Sequence, residues 1–312
     1  MVKSAKSQRT LQLREWVASF ILDRQAGNLS PRTIAFYAEK LNKFIAFCGV
    51  AKIGDMEEIS PDFLRRFLLW LEEQGHNPGG IHAHYRSVKV FVRWWIDEFE
   101  SESYRDPFRK VKAPKVFAPL LSPVQLENVK AMANACPKTW HGIRDKAAIL
   151  NLLDTGARAG EFLALNVEDV NLKTGAVRIL NGKGGKSRAV FIGKTARRAL
   201  RRYLRTRKDG ALWVIHDGGR LSYGGLRSIL KRHAAAAGVA IPSPHAFRRA
   251  FAVNMLRAGV DLESLRRLMG HSDYQVLKRY LALLDDDLQR VHAQASPADQ
   301  LRNLKERRAY DL

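Results

Sequence analysis

Apolar residues recur at helical spacing through the first hundred positions of the chain. Ile34, Tyr37, Leu41, Phe44 and Ile45 form one stripe, and Phe63, Phe67, Leu68, Trp70 and Leu71 form a second. Each predicts the buried face of an amphipathic helix. Both stripes follow the same punctuation: Ser30-Pro31 and Ser60-Pro61 each place a capping hydroxyl before a proline suited to the first helical turn. Gly75 offers a stop for the second helix. A third helix is expected after Gly79-Gly80, with Val88, Phe91, Val92 and Trp95 for the core, and an N-terminal helix over roughly residues 9 to 25 completes a helical bundle.

The periodicity lapses between Asp106 and Pro119, where Pro107, Arg109, Lys110, Lys112, Pro114 and Lys115 predict an extended basic linker. Helical spacing resumes after Ser122-Pro123, and Ile143, Ala147, Leu150 and Leu153 lead to a helix end at Gly156. One β signal interrupts it. Ala176 to Leu180 and Arg188 to Ile192 are strand-like, joined by Asn181-Gly182-Lys183-Gly184-Gly185-Lys186, a hairpin with lysines at its tip. Such a tip suits insertion into a groove, and it equally suits an ordinary exposed turn. Ser243-Pro244 opens another helix, and Asp261 opens a short one that turns Leu262, Leu265 and Leu268 inward and ends at Gly270. Val276, Leu277, Leu281 and Leu284 supply later apolar contacts, and residues 293 to 312 are polar. The fold class that follows is mainly α with a small antiparallel β-sheet, in two domains, as expected for 312 residues.

Charge narrows the choice of partner. Against 31 Asp and Glu stand 53 Lys and Arg, a formal net charge of +22, which predicts a polyanion. No apolar run approaches the roughly 20 residues of a membrane span, and the N-terminus carries no signal-peptide pattern. Nucleic acid is therefore favoured over membrane, and the cytoplasm is the expected compartment. Cys48 and Cys136 are the only cysteines, so neither a disulfide framework nor a Cys-rich zinc site is available. Arg86, Lys89 and Arg93 on the third helix, and Lys112 and Lys115 in the linker, are candidates for phosphate contact. A solvated basic face and a plain tether are the competing readings.

The candidate chemistry lies further along. In Thr155-Gly156-Ala157-Arg158-Ala159-Gly160-Glu161, Arg158 falls near a helix start, where amides and guanidinium together favour an anion. Glu161 lies at i+3, close enough to orient it. His245 and Arg248 share a face near the positive end of the helix opened by Ser243-Pro244. His271 follows the Gly270 stop, and Tyr280 stands nine positions later. A phenol among groups that can carry positive charge suits phosphodiester chemistry, because a weak Tyr nucleophile needs a nearby base and cations to stabilise the charge it creates. Alone, each has a bland explanation: a surface ion pair, an incidental helix-face pair, a core tyrosine.

In this order the elements resemble the tyrosine recombinase family, the phage integrases and Xer-type recombinases, over most of the chain. The likeness rests on T-G-A-R-A-G-E ending at Glu161, G-K-G-G-K around Lys183, H-A-F-R from His245, M-G-H ending at His271, and the spacing to Tyr280, with Ser30-Pro31-Arg32-Thr33 similar to the opening of the family's core-binding domain. The resemblance implies a SAM-like helical core-binding domain over residues 1–110, a basic linker over 111–121, a mixed α+β catalytic domain over 122–292 and a C-terminal tail over 293–312. It implies metal-free and cofactor-free cleavage of double-stranded DNA through a 3′-phosphotyrosyl link, with rejoining through a Holliday junction in a homotetramer and a place for accessory proteins. Tyr280 would be the nucleophile, Arg158 and Arg248 would bind the non-bridging oxygens, Lys183 would protonate the leaving 5′-oxygen, His245 would be general acid/base, His271 would hydrogen-bond the phosphate and Glu161 would support. Lys186 rivals Lys183. Arg249 and Ala282 depart from the family, standing where many members have histidine. The rival readings are a type IB topoisomerase-like relaxase, a catalytically silent DNA-binding regulator of the same fold, and a metal-dependent nuclease, for which no clustered acidic triad appears.

Overall fold

The computed structural model describes residues 2–99, 104–116, 121–180, 187–205, 207–270, 274, 277, 280–281, 292–293, 296 and 298, with side chains from residue 12 onward. The chain divides into two compact units, Met1–Pro119 and Leu120–Leu312.

In the first unit the described helices are α1 (Val2–Ala26), α2 (Pro31–Val50), α3 (Pro61–Glu73) and α4 (Pro78–Phe99). The two Ser-Pro starts act as the sequence predicts: Ser30 Oγ accepts from the Thr33 amide and Ser60 Oγ from the Phe63 amide, both at 3.2 Å. Helix α4 begins before the glycine pair expected to precede it. Asn77 accepts from the Gly80 amide at 2.8 Å and Pro78 fills the first turn, so a cap and a proline outweigh two poor helix formers. Phe44, Phe67, Phe91 and Leu41 are fully buried at the centre, with edge-on aromatic pairs such as Phe44–Phe67 at 5.0 Å.

The basic segment after α4 is strapped to this unit. Phe108 and Val111 are buried in its core. Arg65 donates to the Lys110 carbonyl at 3.0 Å, Tyr85 to that of Val111 at 2.9 Å, and His82 to that of Pro114 at 3.0 Å. Lys112 and Lys115 face solvent, as does Arg86, while Lys89 lies over the Tyr85 ring at 5.7 Å. Arg93 pairs with Asp106 at 2.8 Å.

The second unit comprises α5 (Leu126–Asn134), α6 (Trp140–Thr155), α7 (Ala159–Ala164), strands β1 (Ala176–Ile179) and β2 (Arg188–Phe191), then α8 (Lys194–Leu204), α9 (Tyr223–Ala236), α10 (Pro244–Arg257) and α11 (Leu262–Met269). The strands form the expected antiparallel hairpin, with Ala176 opposite Phe191 and Ile179 opposite Arg188. Helix α5 starts later than Ser122-Pro123 suggests. The stretch before it is held by tertiary bonds instead, Val124 to the Ala246 carbonyl and Arg249 to that of Ser122, both at 3.2 Å. Trp213, fully buried, stacks between Phe162 of α7 at 4.8 Å and Tyr203 of α8 at 5.8 Å. Buried Asp145 ties α6 to α9, accepting from Arg144, Arg232 and His233. Among the described residues no helix is long and apolar enough to cross a membrane.

His84 gives the first unit a pH dependence. It is 1% exposed, and burial, then the charges of Lys40 and His76, push its pKa down from 6.5 to about 4. Above pH 6.5 folded and unfolded chains both hold it neutral, so its share of stability is intact there. As pH falls from 6.5 toward 4 only the unfolded chain takes the proton, and up to about 3 kcal/mol is lost. Urea midpoints for wild type should therefore fall more steeply from pH 7 to 4.5 than those of His84→Leu; parallel curves would refute this.

Candidate active site

The site is built around the end of α11. Its last turn closes at Gly270, in the left-handed region at φ +64°, where a Cβ would come within 2.8 Å of the Arg188 guanidinium. Three consecutive carbonyls leave this end, and each accepts from a different arginine. Arg188 Nε donates to Leu268 at 2.9 Å, Arg248 Nη2 to Met269 at 2.7 Å and Arg158 Nη2 to Gly270 at 3.3 Å. Cations belong at a helix C-terminus, where the unsatisfied carbonyls concentrate negative charge.

Each arginine arrives for a local reason. Helix α6 ends at Gly156, at φ +55°, and a Cβ there would meet the Phe251 ring at 2.3 Å. Glycine thus satisfies both the turn and the close approach of α10. The Gly156 carbonyl accepts from Arg248 Nη1 at 2.6 Å. Two residues on, Arg158 is the N-cap of α7, and Glu161 accepts from its amide at 2.9 Å and from its guanidinium at 2.8 Å. The i+3 spacing read in the sequence makes this pair.

Arg188 is the partner that sequence reasoning passed over. From β2 it grips Glu161 with both Nη atoms, at 3.2 and 2.7 Å. The available signal was strand alternation: Arg188 lies on the same side as buried Val190, and an arginine on a core-facing side requires a carboxylate. Burial alone would raise the Glu161 carboxyl, but hydrogen bonds from Arg188 and Arg158 outweigh it and hold the group at about 2.

Among the described residues three guanidinium groups thus gather near one carboxylate, a surplus of positive charge in a half-buried site. Arg248, 4% exposed, registers it. Burial first, then the Arg158 charge, push its pKa down to about 10, while the Tyr280 phenol and Glu161 act in the opposite direction. The same phenol supports the charge of Arg249, whose pKa is lowered chiefly by burial. Tyr280 is 9% exposed and packs with Phe251, Leu265, Met269 and Leu277. Tyr274, six positions earlier, donates to Glu263 of α11 at 2.5 Å and lies under Arg266. His245, one turn before Arg248, has an exposed imidazole. Partial desolvation, then the charges of Arg248, Arg249 and Arg158, hold its pKa below 6.5.

The structure therefore brings Arg158, Glu161, Arg248 and Tyr280 together, with His245 within electrostatic range. Lys183, Lys186 and His271 lie outside the described residues, as do Ala282 and most of the C-terminal tail. Arg86, Lys89, Arg93, Lys112 and Lys115 all belong to the first unit. Beside the start of α10, a recess of about 500 Å³ is lined by Arg227, Lys231 and Ser243, further cations that the sequence did not single out. The arrangement can bind a tetrahedral anion and stabilise negative charge developing on it.

Comparisons with known proteins agree with this chemistry. Residues 124–286 match the model of the phage integrase family, and residues 15–99 match the phage integrase N-terminal SAM-like domain. The chain is 32% identical over 283 residues to tyrosine recombinase XerC of Roseiflexus castenholzii, covering 86% of this chain and 89% of that one. It is 28% identical over 281 residues to XerD of Listeria monocytogenes, covering 86% and 94%. Its fold is that of a XerH site-specific recombinase bound to palindromic difH substrate, with a TM-score of 0.69 at 21% identity, covering 88% of this chain and 82% of that one.

Glu161→Gln should leave two arginines facing each other across a half-buried site and cost roughly 3 kcal/mol in urea denaturation. Adding Arg188→Met should recover much of that loss. A single-variant cost below about 0.5 kcal/mol, the usual range for surface positions, would refute the central role given to Glu161.

Proposed function

The chain belongs to the phage integrase family and is a tyrosine-type site-specific DNA recombinase, and we propose that Tyr280 is the nucleophile that cuts its substrate. The observation that carries this reading is a buried phenol beside a cluster of guanidinium groups that outnumber their carboxylate. A phosphodiester is an anion that such a cluster suits.

In the reaction we assign, Tyr280 Oη attacks the scissile phosphorus and its proton passes to His245. Imidazole suits this task when neutral, which its lowered pKa favours at pH 7. Arg158 and Arg248 take the non-bridging oxygens as charge builds in the pentacoordinate transition state. The bond from phosphorus to the 5′-oxygen breaks, Lys183 protonates that oxygen, and a 3′-phosphotyrosyl link remains. His271 donates to the phosphate throughout. Reversal by another strand's 5′-hydroxyl rejoins the DNA with no ATP and no metal, since the covalent link conserves the phosphodiester bond energy. Two such rounds pass through a Holliday junction. Glu161 and Arg188 act through the arginines that they hold.

The XerH neighbour is described with its DNA substrate in a post-cleavage complex, which supports a double-stranded recombination site as the partner here. A homotetrameric synapse, assisted by accessory proteins in the cytoplasm, is the assembly in which this chemistry exchanges strands. The exposed cations Arg86, Lys112 and Lys115, with Lys89 and Arg93, are assigned to backbone contact outside the cleavage site.

Wild type incubated with a library of nicked duplexes should give a protein–DNA adduct stable to denaturing gels and undiminished by EDTA, and Tyr280→Phe should give none. No adduct from either protein would leave a silent DNA-binding regulator. Adducts and relaxation without strand exchange between two sites would indicate a relaxase.

The cleavage rate should rise with pH along a limb centred below 6.5, then level off by neutrality, because the His245 proton must leave before the imidazole can accept another. His245→Gln should be slower by about 10²-fold or more and lack that limb. A wild-type limb centred above pH 7 would rule out this assignment.

A further inference from the structure

Helix α8 carries Lys194, Arg197, Arg198, Arg201 and Arg202 within eleven residues and no acidic residue. These charges are placed against the helix's own stability. Arg197 and Arg201, and likewise Arg198 and Arg202, are like-charged i,i+4 pairs, and Lys194 sits in the first turn, where the helix dipole disfavours a cation. Solvated helix faces ordinarily mix both signs.

Two recesses flank this face and share Thr195 and Arg198. One, of about 380 Å³, is completed by Lys173, Lys194, Arg197 and Arg201. The other, of about 490 Å³, adds Arg202 with Lys138 and Lys146 from the loop before α6 and from α6 itself. Among the described residues no Asp or Glu lines either recess. Two of the arginines are held in place, since Arg197 donates to the Lys173 carbonyl at 2.6 Å and Arg201 to that of Leu172 at 3.2 Å.

The position separates this surface from the catalytic cluster. β2 leaves that cluster at Arg188 and reaches α8 six residues later, at the end of the hairpin opposite its tip. None of the residues lining the two recesses belongs to the catalytic cluster, so a phosphate held there is not the scissile one.

We propose that the α8 face and its two recesses form a second DNA-binding surface, which takes the phosphate backbone of duplex DNA away from the cleaved bond. The inference rests on the reading of the chain as a DNA recombinase and extends it to a surface with no catalytic role. It offers phosphates charge and pinned guanidinium groups without base readout, so its contribution is to affinity rather than to choice of site.

The test is the salt dependence of binding to a random-sequence duplex of about 30 base pairs, a length near three helical turns. The full chain is compared with the quadruple variant Lys173→Gln, Lys194→Gln, Arg198→Gln and Arg202→Gln. All four side chains are exposed, and removing mutual repulsion should leave the thermal midpoint without DNA unchanged or raised. The slope of log K against log salt should become shallower by about 3.6, near 0.9 for each of four lost phosphate contacts, with at least a tenfold loss of affinity at about 0.15 M salt. Arg198→Lys with Arg202→Lys should keep the wild-type slope, because the contact depends on charge. A quadruple variant that folds and keeps the wild-type slope overturns this surface alone. Wild type that binds no duplex overturns the recombinase reading and this inference with it.

Discussion

The last three carbonyls of α11 bring three distant parts of the chain to one point. Arg158 follows α6, Arg188 begins β2 and Arg248 lies in α10, and each donates to a different carbonyl of Leu268, Met269 and Gly270. A helix end that must satisfy its carbonyls thereby fixes the orientation of the cations that a phosphate needs. Glu161 makes the gathering tolerable. Without a carboxylate between Arg158 and Arg188, the site would hold like charges in a half-buried space, where mutual repulsion and desolvation add. Its pKa near 2 means that this support is present at any ordinary pH.

What was legible in the sequence follows from how local each cause is. Caps and stops at Ser30, Ser60, Ser243, Asp261, Gly156 and Gly270 operate within four or five residues, so their patterns can be read directly and the structure reproduces them. The Arg158–Glu161 pair was legible for the same reason. Arg188 was missed because its partners, Glu161 and Leu268, lie 27 and 80 positions away. Helix α5 starts later than Ser122-Pro123 suggests because Val124 and Ser122 bond to α10, a tertiary contact that local spacing does not encode. Helix α4 starts earlier than expected because Asn77-Pro78 was overlooked beside a more conspicuous glycine pair.

The family resemblance adds roles that geometry alone does not assign. A buried tyrosine beside an arginine is common in protein cores, where the phenol finds a partner and the ring packs. The proposal for Tyr280 leans instead on the balance of charge among the described residues. Arg248 donates to two backbone carbonyls, and Glu161, whose charge also acts on it, carries Arg158 and Arg188. Carbonyls orient a guanidinium without neutralising it.

Burial, then the charge of Arg158, lowers the pKa of Arg248. A cation that is buried, oriented by dipoles and crowded by like charge is destabilised, and under the proposed function a bound phosphate would relieve that cost. In that proposal the gain would grow as negative charge builds on the non-bridging oxygens, and so be larger in the transition state than with bound substrate, which is the condition for catalysis rather than mere binding. In the proposed reaction the surplus charge at the end of α11 would serve catalysis at the expense of the fold, and Glu161 limits that expense by balancing one arginine's worth of it.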